Sequence, residues 1–340
     1  MQAESGRIRS IDIARGIAIL CIVLGHNGID SVDRVVFTFH VPIFFLIAGY
    51  FFPENKRLAE LVKGKVRQLL VPYFVTCLAV ILLGTVDGLR KGEAMDRLGQ
   101  WVLAAVYGSG AAYSRPISLI AIGPIWFLWA MLWACLFMKL AMGMKPWLRV
   151  TFILALFWAG CATKAWFWFP LSIQSGACAT LYVYLGYQFR KTEKLLRQLP
   201  GELTMLGLLA AAIIWIAFIR DYQHFWMVNN DYGRGVVDVI GSLCACAVVF
   251  FVSSLLDKWG KRLADPLAYV GKYSLFFLCV HTVELDAFPW RDFAWKFFRF
   301  GPLADRQYLV IIVLKFISVL LVGWCFTLIP FVRRIFGYRK

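Results

Sequence analysis

The stretch "DIARGIAILCIVLGHN", residues 12–27, has the composition of a membrane helix, yet Asp12 and Arg15 stand at one end of it and His26 at the other. At about 100° per residue, Arg15 and His26 return to within about 20° of one helix face, roughly 16 Å apart along the axis. A cation within an apolar helix is costly in lipid. A guanidinium and an imidazole aligned across half a bilayer therefore point to function, provided the helix crosses a membrane.

Composition says that it does. Hydrophobic residues make up 61% of the 340 and charged residues 16%, more apolar surface than a soluble fold can hide. The formal net charge of +16 would suit a nucleic-acid partner, but a basic membrane protein with its charge in loops explains it without one. The nine cysteines sit in or beside apolar stretches without metal-ligand spacing, so they read as small apolar side chains and no metal is expected.

Apolar runs place ten candidate spans at about 11–28, 35–52, 68–87, 123–143, 149–164, 171–189, 203–220, 235–256, 267–288 and 307–332. Within 88–122, "WVLAAVYG" is too short to cross and is expected at the interface or as a re-entrant piece. No repeat or linker divides the chain, so residues 1–340 read as one integral-membrane domain. With the N-terminus inside, the inner loops hold nearly twice as many Lys and Arg as the outer ones. The expected fold is thus an all-α polytopic membrane protein of about ten helices, with both termini cytoplasmic. No small-x-small site follows "IAILCIVLG", so a cleaved signal peptide is not expected.

In that orientation the ionisable groups inside spans fall at two levels. Towards the outside lie His26, His40 in "FTFHVPIFFLIAGYFF", Asp238, and His281 with Glu284, which share a helix face at i, i+3. Snorkelling at the interface is the plain alternative for His40 and His281. It suits His26 less well, because Arg15 shares its face. Towards the inside lie Arg15, Lys272 and the basic block Lys63, Lys65 and Arg67, which would suit phosphates; ordinary positive-inside anchoring explains Lys63 and Lys65 equally well. "GPIWFLWAML" opens the fourth span with Trp126 and Trp129, as an aromatic belt or as a platform for a sugar. Pro42 is placed to open a helix next to His40.

An arginine followed after ten residues by a histidine in the first span resembles the signature of the acyltransferase-3 family of membrane O-acyltransferases. "FHVPIFFLIAGYFF", "KVRQLLVPYF", "GPIWFLWAML", "YLGYQFRK" and "VGKYSLFFLCVH" resemble successive blocks of its fucose 4-O-acetylase-like branch, in order over most of residues 8–285. Lys63, Lys65 and Arg67 stand where many relatives have paired arginines, and no extracytoplasmic hydrolase-like domain is attached, as in stand-alone members.

The resemblance implies transfer of an acyl group, most often acetyl from acetyl-CoA, to a hydroxyl of a carbohydrate or lipid-linked glycan. A neutral imidazole can take the proton of a sugar hydroxyl as it attacks a thioester, and His26 is the first candidate for this base. Asp30 or Glu284 would orient its ring, and His40 or His281 would donate to the oxyanion. Arg15, with Lys63, Lys65, Arg67 and Lys272, would serve acyl-CoA; His40, Trp126 and Asp238 would face the acceptor. The expected location is the bacterial inner (plasma) membrane, with the lipid bilayer as the remaining partner. The competing class is a transporter or flippase with intramembrane charges along a substrate path.

Overall fold

The computed structural model of the protein describes residues 7–298 and 306–338. Arg299, Arg339 and Lys340, which enter the loop-charge comparison, lie outside them. The described residues form α1 (Arg9–Gly25), α2 (Asp30–Val36), α3 (Pro42–Tyr50), α4 (Leu58–Lys65), α5 (Val71–Lys91), α6 (Ala94–Tyr107), α7 (Trp126–Met142) and α8 (Pro146–Thr163). They continue as α9 (Ile173–Leu196), α10 (Gly201–Arg220), α11 (Val236–Trp259), α12 (Lys261–Lys272), α13 (Ser274–Ala287), α14 (Trp290–Phe298), α15 (Gln307–Leu328) and α16 (Pro330–Ile335). Among them the only β-type pairings are two isolated bridges, so the fold is all-α.

Punctuation in the sequence sets many of these limits. Pro42, Pro146 and Pro330 each open a helix, where a missing N–H costs nothing. Gly92 (φ 77°) and Gly108 (φ 69°) end α5 and α6 in the left-handed region. Pro72 enters just after a five-residue π-helical turn, Val66–Leu70, which carries the chain from α4 into α5. A proline cannot donate to the carbonyl four residues back, and a local change of helical register absorbs that loss.

Among the described residues, six helical stretches are long and apolar enough to cross a membrane: Leu58–Lys91, Gly123–Met142, Pro146–Thr163, Gly201–Arg220, Val236–Trp259 and Gln307–Leu328. α12 and α13, bent by 74°, make a seventh if taken as one broken span. The stretch 267–288, expected as one helix, therefore turns sharply at Tyr273. The stretch 35–52 is also divided, because the chain leaves α2 and turns before Pro42 starts α3. The remaining expected spans are the 17-residue α1 and the more polar α9. By length and composition alone, the stretches 11–28, 35–52 and 171–189 do not qualify. The uncertain region 88–122 contains α6, which packs on α5 by burying Trp101, Ala104 and Ala105.

The chain forms two compact units, each assembled from separated stretches. The first comprises Met1–Glu54, Phe137–Phe157 and Cys178–Ser274. In it α1 is buried on most sides, packed by α12, α11 and α3. Ala14, Ala18, Phe39, Ile43, Ile47, Ala245, Cys246 and Val249 form its apolar centre. Two helix crossings in this unit are glycine contacts. A Cβ on Gly16 would overlap the Leu267 carbonyl oxygen, and one on Gly271 would overlap that of Asp12. Likewise Gly49 lies against the Val183 carbonyl and Gly186 against that of Leu46. Helices surrounded by lipid gain little from hiding apolar surface, so close backbone approach through small residues supplies the contact.

The second unit comprises Asn55–Leu136, Trp158–Ala177 and Leu275–Lys340. Tyr73 donates to the Ala105 carbonyl at 2.7 Å, tying α5 to α6, and Gly323 of α15 lies under the Phe277 ring of α13. In the first unit, the outward-facing α10 stays apolar, and Phe218 is its only buried residue.

Gly271→Val is expected to force α12 off α1 and to cost about 2–3 kcal/mol, the upper range for overpacking. Gly207→Ala, on α10 with no heavy atom near its added methyl, should be neutral or slightly stabilising. Thermal unfolding in detergent separates the two, and equal melting temperatures for both variants would refute the crossing as a close contact.

Candidate active site

α1 ends at Gly25 and His26 is its C-cap. The imidazole folds back on the helix, with Nδ1 2.7 Å from the Ile22 carbonyl oxygen. A carbonyl oxygen only accepts, so Nδ1 carries the hydrogen, and in the neutral ring the lone pair belongs to Nε2. The Ile22 carbonyl thus orients the ring from within its own helix.

His40 repeats the arrangement. It lies in the turn ahead of Pro42 rather than inside a helix, with Nδ1 2.5 Å from the Val36 carbonyl oxygen. Its ring is buried, edge-on to Phe37 at 4.7 Å between centroids.

At the other end of α1, Arg15 Nη1 lies 3.6 Å from Asp12 Oδ1, while Arg7 Nε donates to Asp12 Oδ2 at 2.5 Å. Asp12 is buried and the Arg15 side chain keeps 32% of its exposure. The contact of Gly271 with Asp12 brings the end of α12 to the first turn of α1, so Lys272 belongs to the Arg15 neighbourhood; its ammonium lies 5.3 Å from the Tyr273 ring centre. Arg9 locks this corner by donating to Asp257 at 2.5 Å and by pairing with Asp265.

Asp238 is fully buried, but its oxygens are taken. Oδ2 accepts the backbone N–H of Arg234 and Oδ1 its Nε, both at 2.8 Å. This carboxylate closes the turn into α11.

In the second unit, His281 and Glu284 meet as their spacing implied. His281 Nδ1 lies 3.0 Å from Glu284 Oε2 and both residues are buried. A third group joins them: Lys315 Nζ, from α15, lies 3.9 Å from Glu284 Oε1. Close by, Asp286 lies against Gly123, whose φ of 75° and lack of a Cβ leave room for the carboxylate. Trp126 begins α7 after the tight turn Gly123–Ile125 and is buried, so it is packed rather than displayed. Lys63 and Arg67 are exposed and Lys65 half-buried, with Arg67 on the π-helical turn.

With Nδ1 donating, a neutral His40 or His281 offers a lone pair at Nε2 and not a hydrogen. The expectation that either donates to an oxyanion holds only for a doubly protonated ring. Sequence reading overlooked Lys315 and Asp286. The signal for Lys315 was present, since it is the only charge in the 22 residues of α15. Among the described residues no three His, Cys, Asp or Glu side chains cluster as metal ligands.

A family model described as an acyltransferase domain, of the acyltransferase-3 type, matches residues 8–328. The chain belongs to the acyltransferase-3 family. No curated protein and no solved structure matches it. Family membership makes the chain a membrane O-acyltransferase, and nothing in it favours the transporter alternative.

The segment joining the two histidines of the first unit carries a pH-sensitive carboxyl. Burial, and then the charge of Asp30, push Asp33 up to about 6 from the usual 3.8. A carboxyl raised on folding contributes stability below the usual carboxylate range, and that contribution is lost as pH rises through about 6. Asp33→Asn should therefore melt higher than wild type above pH 6, and the two should converge near pH 4. A pH-independent difference would remove Asp33 as the cause.

Proposed function

We propose that this acyltransferase-3 member moves an acyl group, acetyl in the simplest case, from acyl-CoA to a hydroxyl of a carbohydrate or lipid-linked glycan, with His26 as general base. The observation that carries this reading is the His26 ring, anchored at Nδ1 by the Ile22 carbonyl with its basic nitrogen left at Nε2.

The step follows from that tautomer. Nε2 takes the proton of the acceptor hydroxyl as its oxygen attacks the thioester carbonyl carbon. When the tetrahedral intermediate collapses, the C–S bond breaks and the new C–O bond remains. The departing thiolate takes the proton back from Nε2, so the ring ends as it began, with Nδ1–H still on Ile22. His40 is a further candidate contact for the acceptor, and His281, anchored by Glu284, carries its lone pair at Nε2 in the same way.

Arg15 is assigned to the donor. Its side chain is partly exposed beside Asp12, and a planar guanidinium suits a phosphate. Lys272 lies beside it, and Lys63, Lys65 and Arg67 are the further candidates. The excess of Lys and Arg expected in the loops on that side supports a donor end in the cytoplasm, where acyl-CoA is made. The acceptor end is then assigned to the opposite half of the membrane.

Purified protein in detergent with labelled acetyl-CoA and a glycan acceptor tests the proposal. His26→Ala should lower kcat by about 10²–10⁴-fold while the protein stays folded. Arg15→Lys keeps the charge but loses the planar fork, so it should raise KM for acetyl-CoA several-fold and leave KM for the acceptor unchanged. Near-normal transfer by folded His26→Ala would disprove its role as base, and a change confined to the acceptor's KM would move Arg15 off the donor.

A further inference from the structure

The last long helix contains a lysine for which the chemistry above has no use. Lys315 sits in the ninth position of "QYLVIIVLKFISVLLVGWCFTL", with apolar residues on both sides. Its side chain keeps 11% of its exposure. An ammonium so placed is expensive unless a counter-charge meets it, and one does: Glu284 Oε1 at 3.9 Å. The other oxygen of the same carboxylate, Oε2, holds His281 Nδ1 at 3.0 Å. One carboxylate thus faces a cation on one oxygen and an imidazole on the other.

We propose that Lys315 is a positioning residue that keeps Glu284 ionised, and that Glu284 in turn fixes the tautomer of His281 with its hydrogen on Nδ1 and its lone pair on Nε2. An ionised carboxylate can only accept, so the ring must donate to it from Nδ1. Without the ammonium, a carboxylate in this dry surrounding is neutralised by taking up a proton from solvent. Its O–H then donates to Nδ1, the ring hydrogen resides on Nε2, and the lone pair offered to a substrate hydroxyl is gone. Lys315 acts through Glu284 and need not touch substrate. The consequence for turnover rests on the acyl-transfer reading; the protonation state of Glu284 does not.

Infrared absorption of the purified protein reads that state directly. In wild type, Glu284→Gln should remove no protonated-carboxyl band. In a Lys315→Met background, the same substitution should remove one, because Glu284 has become protonated there. Both comparisons are made in an Asp286→Asn background, so that no protonation change at Asp286 caused by removing the Glu284 charge enters the difference. Lys315→Arg, which retains the charge, should behave as wild type. If Lys315→Met does not fold, Lys315→Gln provides the neutral side chain, and the double variant removes both charges together. In the transfer assay, Lys315→Met should lower kcat by about 10²-fold, the scale of one misplaced proton acceptor, with Lys315→Arg restoring most of it and KM for acetyl-CoA unmoved. A Glu284 that stays ionised in Lys315→Met, or loss of activity equally in the Arg and Met variants, overturns the proposal. If wild type transfers no acyl group at all, the function proposed above fails and the infrared comparison alone decides the role of Lys315.

Discussion

Two helices of the first unit touch backbone to backbone, and the donor end of the proposed site depends on it. Gly16 and Gly271 have no side chains at the point where α1 crosses α12, so the carbonyls of Leu267 and Asp12 lie where methyl groups would otherwise be. In lipid the hydrophobic effect gives helices little reason to associate, and close contact over small residues takes its place. The same crossing sets Asp12, and with it Arg7 and Arg15, beside the end of α12 that carries Lys272. Gly49 and Gly186 repeat the device between α3 and α9.

A second constraint acts on His26, His40 and His281. Each is anchored at Nδ1: His26 by Ile22, His40 by Val36, His281 by Glu284. Backbone carbonyls serve two of them through the i−4 position and a carboxylate serves the third. An acceptor at Nδ1 makes Nε2 the basic atom of a neutral ring. The two kinds of anchor differ in one respect. A carbonyl cannot gain a proton, whereas a carboxylate can, and only His281 depends on a neighbouring cation to keep its tautomer.

Residue pattern made much of this legible. The all-α membrane class follows from the apolar runs, and Pro42 marks the start of α3 just after His40. The i, i+3 spacing of His281 and Glu284 predicted their contact. What the pattern did not carry were partners remote in sequence or hidden in turns. The bend at Tyr273 has no proline at the break; Pro266 lies earlier, inside α12. Asp238 looked available because its partner, Arg234, sits in an irregular turn where helical spacing rules do not apply. Lys315 is separated from Glu284 by 31 positions in the chain, so its lone charge was visible but its counter-ion was not.

The acyltransferase-3 domain spans nearly the whole chain, and the anchored His26 with its lone pair at Nε2 suits proton removal from a hydroxyl. The central claim is that this ring serves the acylation of a carbohydrate hydroxyl. Mass spectrometry of surface glycans from cells lacking the protein, complemented with wild type or with His26→Ala, tests it most directly. The account predicts that wild type restores an alkali-labile acyl increment on a glycan and that His26→Ala, present at the same level in the membrane, does not. Identical glycans in all three cells would contradict it.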